Sequence, residues 1–568
     1  MNESYGAIED AAGSHGRVLG STSNPQQSKT SSPPQIEVEA DDSSSVNSEM
    51  IENLTRNQEN QPLLSPDDPR VTPLNVTKVK ILRGCLHLLL VFNVIWLVLS
   101  LISYFVSIPG FDSRGKSFFE FSFILISLYA NFLSYVFFLT PSDLKIDYLF
   151  NIAGLILISL DLFMILVVPY QRSQHGKSEY IASFFSLFSI GLNLVSNQHV
   201  LIAKRGEEVR LTGRIETRKT LKEHLSIGLE FFLKVLLILY IASISLNIYL
   251  KCIDSAVSKP WGTLVFADDE TYRIHLYCQG DVYGDKEDSN DQPIVLLESG
   301  HDSSEEFVSW LQELYQLNKV HRYCIYDRPG YGFSDSSPSP YSLGINSDLL
   351  SSVLMKQNIT GPFLVVGQGI GGLYARVFAT RHIHEVHSLL LVDGWSEELL
   401  LPNPLKHSKS KDAILPREIP KLNRRYGLKL WLKGVFSSAN MMNFYNLIFH
   451  QFRSSERIFG RDMHLQGKYL RARLQEQISA SILSYNDILI SKDALDDADK
   501  QVSVISSKFL IKQSLTWGNW QRELTKLSHN SHNEWVLTDS GYEVWKYVEG
   551  RKRLQKLLLR MLGENDDL

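Results

Sequence analysis

The alternation of apolar and polar positions divides the chain into three regions. Residues 1 to about 75 carry few large apolar side chains and show no periodicity. Five long apolar stretches follow, at 86–108, 118–140, 148–169, 180–201 and 225–250, separated by short polar links. Each is close to the ~20 residues that cross a bilayer. Buried helices of a soluble protein would show shorter runs and polar faces, so the pattern predicts five membrane spans with the lipid bilayer as partner. From about 260 to 568 short apolar runs alternate with amphipathic segments, the layout of βαβ units around a mostly parallel sheet. Runs at 263–266 and 273–278 read as an opening pair of strands. Those at 293–298, 322–326, 362–366 and 388–392 lack strict alternation and read as strands buried on both faces. Later strands are expected at 502–506 and 534–538, and helices at 305–315, 345–356 and 372–380.

Composition changes this picture mainly at the N-terminus. The first segment is rich in Ser, Asn, Gln and Pro, and its acids outnumber Arg17, Lys29, Arg56 and Arg70. Such a segment buries too little surface to offset its ordering entropy, and disorder is expected. It has neither the apolar core of a signal peptide nor the Arg-rich, acid-poor make-up of a transit peptide. Over all 568 residues the net charge is −5, which argues against a nucleic-acid partner. The four cysteines, Cys85, Cys252, Cys278 and Cys324, are too few for a disulfide framework and lack metal-ligand spacing. No cofactor or metal is expected. Two tail patterns resemble endomembrane sorting signals: Tyr5-Gly6-Ala7-Ile8 is similar to a tyrosine-based signal, and Glu59 through Leu64 to an acidic dileucine signal.

Lys and Arg set the expected orientation. Lys78, Lys80, Arg83, Lys145 and the dense loop from Lys204 to Lys222 fall on one side of the membrane. Arg114, Lys116, Arg172, Lys177, Lys251 and Lys259 fall on the other. With five spans, the tail is then cytosolic and the C-terminal region lumenal or extracellular. The sequon at Asn358 becomes a glycosylation candidate, while those at Asn53 and Asn75 do not. The tail signals favour vacuole, lysosome or endosome; plasma membrane, endoplasmic reticulum and mitochondrion remain alternatives. Inside the spans, Asp161, Glu230 and Lys234 are costly charges. Glu230 and Lys234 lie one helical turn apart and can pair. An internal salt bridge is the favoured reading for them, and an ion or proton path is the alternative.

The C-terminal region resembles the α/β-hydrolase superfamily, on four motifs in order. The run 294–300 followed by His301-Asp302-Ser303-Ser304 is similar to its strand and oxyanion loop. Asp327-Arg328-Pro329-Gly330-Tyr331-Gly332-Phe333-Ser334-Asp335 is similar to its D-R-x-G-Y-G-x-S-D turn. Gly367-Gln368-Gly369-Ile370-Gly371 matches the G-x-S-x-G elbow in layout, and the run 389–394 follows at typical distance. The resemblance implies an α-helical transmembrane region followed by an α/β-hydrolase-like domain, with a helical lid insert at about 395–500. Parts of that insert, 426–436 and 441–452, mix apolar and basic residues, suited to a membrane surface, a pocket cover or plain core. The implied topology also sets Cys278 and Cys324 on adjacent strands; two buried free thiols are expected there, with a lumenal disulfide as the alternative.

The family's chemistry needs Ser, then Asp or Glu, then His. Here the nucleophile position is Gly369. The late segment 539–543 places Tyr542 where histidine is expected, and a phenol of pKa near 10 is no ready base at neutral pH. Residues 506–509 after the seventh strand carry no carboxylate; Asp393 is a displaced acid candidate with nothing to orient. The triad therefore reads as degenerate. Gly300, His301, Gln368 and Ile370 are candidates for lining a pocket around the oxyanion loop. His529 and His532 are expected on a surface loop, and Ser299, Ser303 and Ser304 near the pocket mouth. The leading expectation is a hydrolase fold without hydrolysis, binding a lipid or acyl ligand or a protein. The alternatives are an ester or lipid hydrolase with displaced catalytic residues, and a transporter or receptor working through the spans.

Overall fold

The computed structural model describes residues 64, 68, 70–142, 145–215, 220–267, 270–283, 292–400, 424–449, 453–480 and 483–564. The tail through residue 63, with the tyrosine-based pattern, the Asn53 sequon and most of the dileucine pattern, lies outside the described residues, as do Arg218, Lys219 and part of the lid insert.

Among the described residues, five helices are long and apolar enough to cross a membrane: α1 Thr77–Ser103, α2 Phe119–Val136, α3 Lys145–Val167, α4 Lys177–Thr212 and α5 Leu221–Val257. Two helices, α4 and α5, outrun their apolar stretches because polar turns continue them. At α4 they extend to Gly213, whose left-handed φ of 72° caps the helix. Thr220 and Glu223 form a reciprocal capping box that starts α5. Within the bundle Lys234 donates to Glu230 at 2.7 Å and to Asp147 of α3 at 2.6 Å. Asp161 accepts from Ser245 at 2.8 Å.

The C-terminal region holds an eight-stranded sheet in the order β1-β2-β4-β3-β5-β6-β7-β8. The strands are β1 Thr263–Phe266, β2 Arg273–Gln279, β3 Ile294–Glu298, β4 Tyr323–Tyr326, β5 Phe363–Gln368, β6 Val386–Val392, β7 Gln501–Ser507 and β8 Trp535–Thr538. Only β2 is antiparallel to its neighbours β1 and β4; the rest pair in parallel. Both faces of β3, β4 and β5 are buried, which explains their unbroken apolar runs. Helices α6 Ser309–Gln316, α7 Leu343–Lys356 and α8 Gly371–Arg381 cover the sheet, with the C-terminal helix Val548–Met561 closing one face. The helix expected at 305–315 is broken: Ser304–Phe307 forms a separate turn and α6 starts at Ser309.

The insert between β6 and β7 carries α9 Arg424–Ser438, α10 Gly467–Gln475 and α11 Tyr485–Asp497. It packs against the spans. Tyr104 and Phe121 from the membrane side share one apolar cluster with Leu430, Met463, Tyr469 and Tyr331. Phe118 fills the space a side chain at Gly434 would occupy. Asn247 of α5 donates to the carbonyls of Ser437 and Ser438 at 3.0 and 2.7 Å, satisfying the end of α9.

One expectation is corrected. Cys278 and Cys324 form a disulfide, not two free thiols. They are direct cross-strand partners on antiparallel β2 and β4, with Cα atoms 4.1 Å apart, so their side chains leave the sheet together. The bond closes a 46-residue separation, and removing it through Cys278→Ala should cost about 2–4 kcal/mol of stability. Titration of the denatured chain should find the free thiols Cys85 and Cys252 without reductant and all four cysteines with it; four reactive thiols before reduction would refute the pairing.

Candidate functional site at the strand-to-helix elbow

The chain turns from β5 into α8 at Gln368-Gly369-Ile370. Gly369 has a left-handed φ of 56°, and its N–H donates to the carbonyl of Val392 at 3.0 Å. Its own carbonyl accepts from Trp395 at 2.9 Å and Gly372 at 3.1 Å. A side chain at Gly371 would run into the end of β3, so this turn must stay glycine-lined. The turn thus keeps the backbone geometry that presents a nucleophile, with no side chain to present.

That space is occupied. A Cβ built on Gly369 would lie 2.5 Å from the Tyr542 hydroxyl and 3.8 Å from the Trp395 indole nitrogen. Burial pushes the Tyr542 phenol up to about 12, with Asp302 and Asp393 adding to it and Gln368 and Trp395 opposing. The group is therefore protonated at any working pH.

Asp393 is buried and has a left-handed φ of 44°. Its Oδ1 accepts from the Ser507 N–H at 3.0 Å and from Trp517 at 3.4 Å. Burial raises its carboxyl to about 7, while Oδ2 has no hydrogen-bond partner among the described residues. It ties β6 to β7.

The oxyanion-loop candidates meet here too. His301 is edge-on to Trp395, with ring centroids 5.0 Å apart. Burial holds it well below its usual range, helped by Arg473 and Arg328. Gln368 is buried against Gly300, and neither of its amide atoms has a hydrogen-bond partner among the described residues. Ile370 points instead into an apolar cluster with Leu373 and Tyr374. Beneath the loop, Arg328 donates to the carbonyls of Ser299 and Gly300. Its guanidinium lies over the rings of Tyr331 and Tyr374 at 4.5 and 4.6 Å, between Glu298 and Glu476.

The serines are not at a pocket mouth. Ser303 and Ser304 are buried and donate to the carbonyls of Phe459 and Tyr326, and Ser304 also reaches Ser299. These bonds tie the loop to the insert and to the end of β4. His529 pairs with Asp496 at 2.6 Å on the surface, and His532 is exposed on the same loop.

Sequence reasoning missed a buried trio. His275 Nδ1 lies 2.9 Å from Asp327 and 3.2 Å from Glu305, and its Nε2 meets the Trp261 carbonyl. These are ligand types for a small cation. A proton fits the same geometry: both ring nitrogens face acceptors, so the imidazolium is held up at about 10 while Asp327 is pulled down to about 2. Asp327 also accepts from Ser304 and Phe333 N–H groups, which welds β2, the oxyanion loop and the 327–335 turn together. The three residues are far apart in sequence, and only the Asp327 turn motif hinted at them.

The α/β hydrolase fold family matches residues 292–426, and a region of unknown function (DUF2417) matches 42–278. An uncharacterized vacuolar membrane protein of Saccharomyces cerevisiae is 32% identical over 566 residues, covering 85% of this chain and 87% of that protein. The chain is a membrane-associated member of the α/β-hydrolase fold family. An uncharacterized protein of Schizosaccharomyces pombe is 28% identical over 337 residues, covering 56% of this chain and 57% of that one. Among solved structures, an enol-lactonase from Burkholderia xenovorans LB400 aligns with 15% identity and a TM-score of 0.34, over 53% of this chain and all of that one.

The elbow geometry sets up a coupled pair of substitutions. Gly369→Ala should cost about 1–3 kcal/mol, from the left-handed φ and the approach to the phenol oxygen. Tyr542→Phe removes that oxygen and leaves the ring carbon at 3.7 Å, an ordinary contact. Gly369→Ala should therefore cost less in a Tyr542→Phe background, as read by thermal unfolding of the four proteins. Additive losses would mean that Tyr542 does not fill the nucleophile's place.

Proposed function

We propose that this protein resides in the vacuolar membrane and that its hydrolase-like domain, facing the lumen, serves binding rather than hydrolysis. The carrying observation is the Tyr542 hydroxyl seated against Gly369, where an enzyme of this fold would present its serine. A protonated phenol supplies neither base nor nucleophile there. Among the described residues, the candidates for a rearranged triad are engaged elsewhere: His301 is buried against Trp395, and the hydroxyls of Ser303 and Ser304 donate to backbone carbonyls. The vacuolar reading leans on the Saccharomyces relative's description. The lumenal reading leans on the Lys and Arg bias and on the Cys278–Cys324 disulfide, since oxidised pairs belong to oxidising compartments. A transport role finds less support, because Lys234 is neutralised by Glu230 and Asp147 within the bundle.

Two measurements test this. The purified full-length protein should not turn over acyl esters of any chain length, against an intact family enzyme as control. Turnover that survives repurification and falls away in His301→Ala would sink the binding reading. Asn358 is exposed just past the end of α7, so a glycan there should shift the chain on a gel and vanish with Asn358→Gln. A shift at Asn75, or none at Asn358 with the sequon intact, would reverse or remove the lumenal assignment.

A further inference from the structure

A second candidate site lies where the spans meet the hydrolase-like domain. A cavity of about 160 Å³ opens between the link before α2, the last turns of α5, the 327–335 turn and the lid insert. That volume is roughly ten times the ~10–15 Å³ that admits one water. None of the elbow residues lines it.

Its charges do not balance. Arg273 is matched by Asp335 at 2.8 Å, and Arg457 by Asp254 at 2.9 Å. Three lysines remain. Lys468 donates to the carbonyls of Gly332 and Ser334. Lys116 is 1% exposed and its Nζ has no hydrogen-bond partner among the described residues. Lys251, half-buried, has no carboxylate within ion-pair distance among the described residues. Both ammonium groups have aromatic faces beside them, Lys116 at 5.5 Å from the Tyr170 ring centroid and Lys251 at 5.0 Å from that of Phe119, and Glu179 and Asp254 act on them only from beyond ion-pair distance. The nearby Glu179 is engaged by His175 and the Gly176 N–H.

An ammonium buried without a hydrogen bond is expensive. Lysines that merely set topology would extend to water, yet Lys116 is closed in. Burial holds its pKa well below the usual lysine range, and repulsion from Lys251 adds to this. An anion in the cavity would relieve both costs at once.

We propose that this cavity is a binding site for a phosphate-type oxyanion, held by Lys116, Lys251 and Lys468. Convergent lysines suit such a group as point charges with several donors each. The place suits it as well. Lys251 stands within two turns of the end of α5, and Lys116 three residues before α2, so the cavity sits at the end of the spanning bundle. The group could come from the headgroup of an anionic phospholipid or from free phosphate. The proposal gives the binding role above a ligand class, but it does not depend on the elbow being inert, because no residue is shared. The esterase assay reads that question separately.

The test uses the full-length protein in neutral detergent. Its thermal unfolding is followed with inorganic phosphate, with phosphatidic acid in mixed micelles, and with chloride and phosphatidylcholine as matched controls. Stabilisation by phosphate assigns a free-anion site; stabilisation by phosphatidic acid alone assigns a lipid headgroup. In Lys116→Gln the ligand's apparent affinity should fall about 10-fold or more, the weight of one charge-assisted hydrogen bond. The unliganded variant should be as stable as the parent or more so, since a buried unbonded charge has gone, and this separates lost binding from misfolding. Should Lys116→Gln fail to fold, the half-buried Lys251→Gln gives the same comparison. No stabilisation of the parent by either ligand, or equal stabilisation of the parent and the variants, overturns the proposal.

Discussion

The ion pair between Asp254 and Arg457 joins the two halves of this protein. Asp254 stands one turn from the end of the last spanning helix, and Arg457 comes from the lid insert some two hundred residues later. Both are buried, and both oxygens of the carboxylate meet the guanidinium. Taking two charges out of water costs several kcal/mol per ion, and only close, hydrogen-bonded geometry offsets it. Such a pair adds little to net stability, but it fixes register: breaking it leaves a lone buried charge. The apolar cluster of Tyr104, Phe121, Leu430 and Tyr331 spans the same joint. The lid, which in many enzymes of this fold covers a pocket, here acts as the joint between membrane and sheet.

That reassignment bears on the elbow. The 327–335 turn and the oxyanion loop are braced from below by Arg328, Glu298, Glu476 and Arg473, and the last two belong to the lid segment. The brace holds whether or not a nucleophile is present. Gly369 retains the left-handed backbone of the motif because Gly371 and Val392 still demand that path. The backbone path of the elbow is thus set by its packing against β3 and β6 and not by the side chain at position 369.

The sequence made the architecture legible wherever one periodicity or one local spacing decided it. Apolar runs near twenty residues marked the five spans, and the Glu230–Lys234 spacing marked a pair on one helix face. Partners from elsewhere stayed hidden: nothing local tied Asp147 to Lys234, or His275 to Glu305 and Asp327. The cysteines illustrate the limit. Adjacent strands could be inferred, but not the register that makes Cys278 and Cys324 direct partners. The missing elbow side chain was plain at Gly369, yet that Tyr542 fills its place depends on the path of the chain after β8. Lys116 was legible only as a loop charge, because burial by a distant lid leaves no trace around it.

The same closure that shields Lys116 explains why the seam carries surplus positive charge. Arg273 and Arg457 at the seam each pair with an aspartate, and those pairs hold the halves together without an external ligand. Lys116 and Lys251 contribute nothing comparable, and they repel each other across a cavity. A purely structural seam would be more stable with uncharged side chains of the same size, since buried charges without close partners cost more than they return. Stability alone therefore does not account for Lys116 and Lys251, whereas an anion arriving at the membrane end of the bundle does: it converts their mutual repulsion into a bridge between the spans and the hydrolase fold.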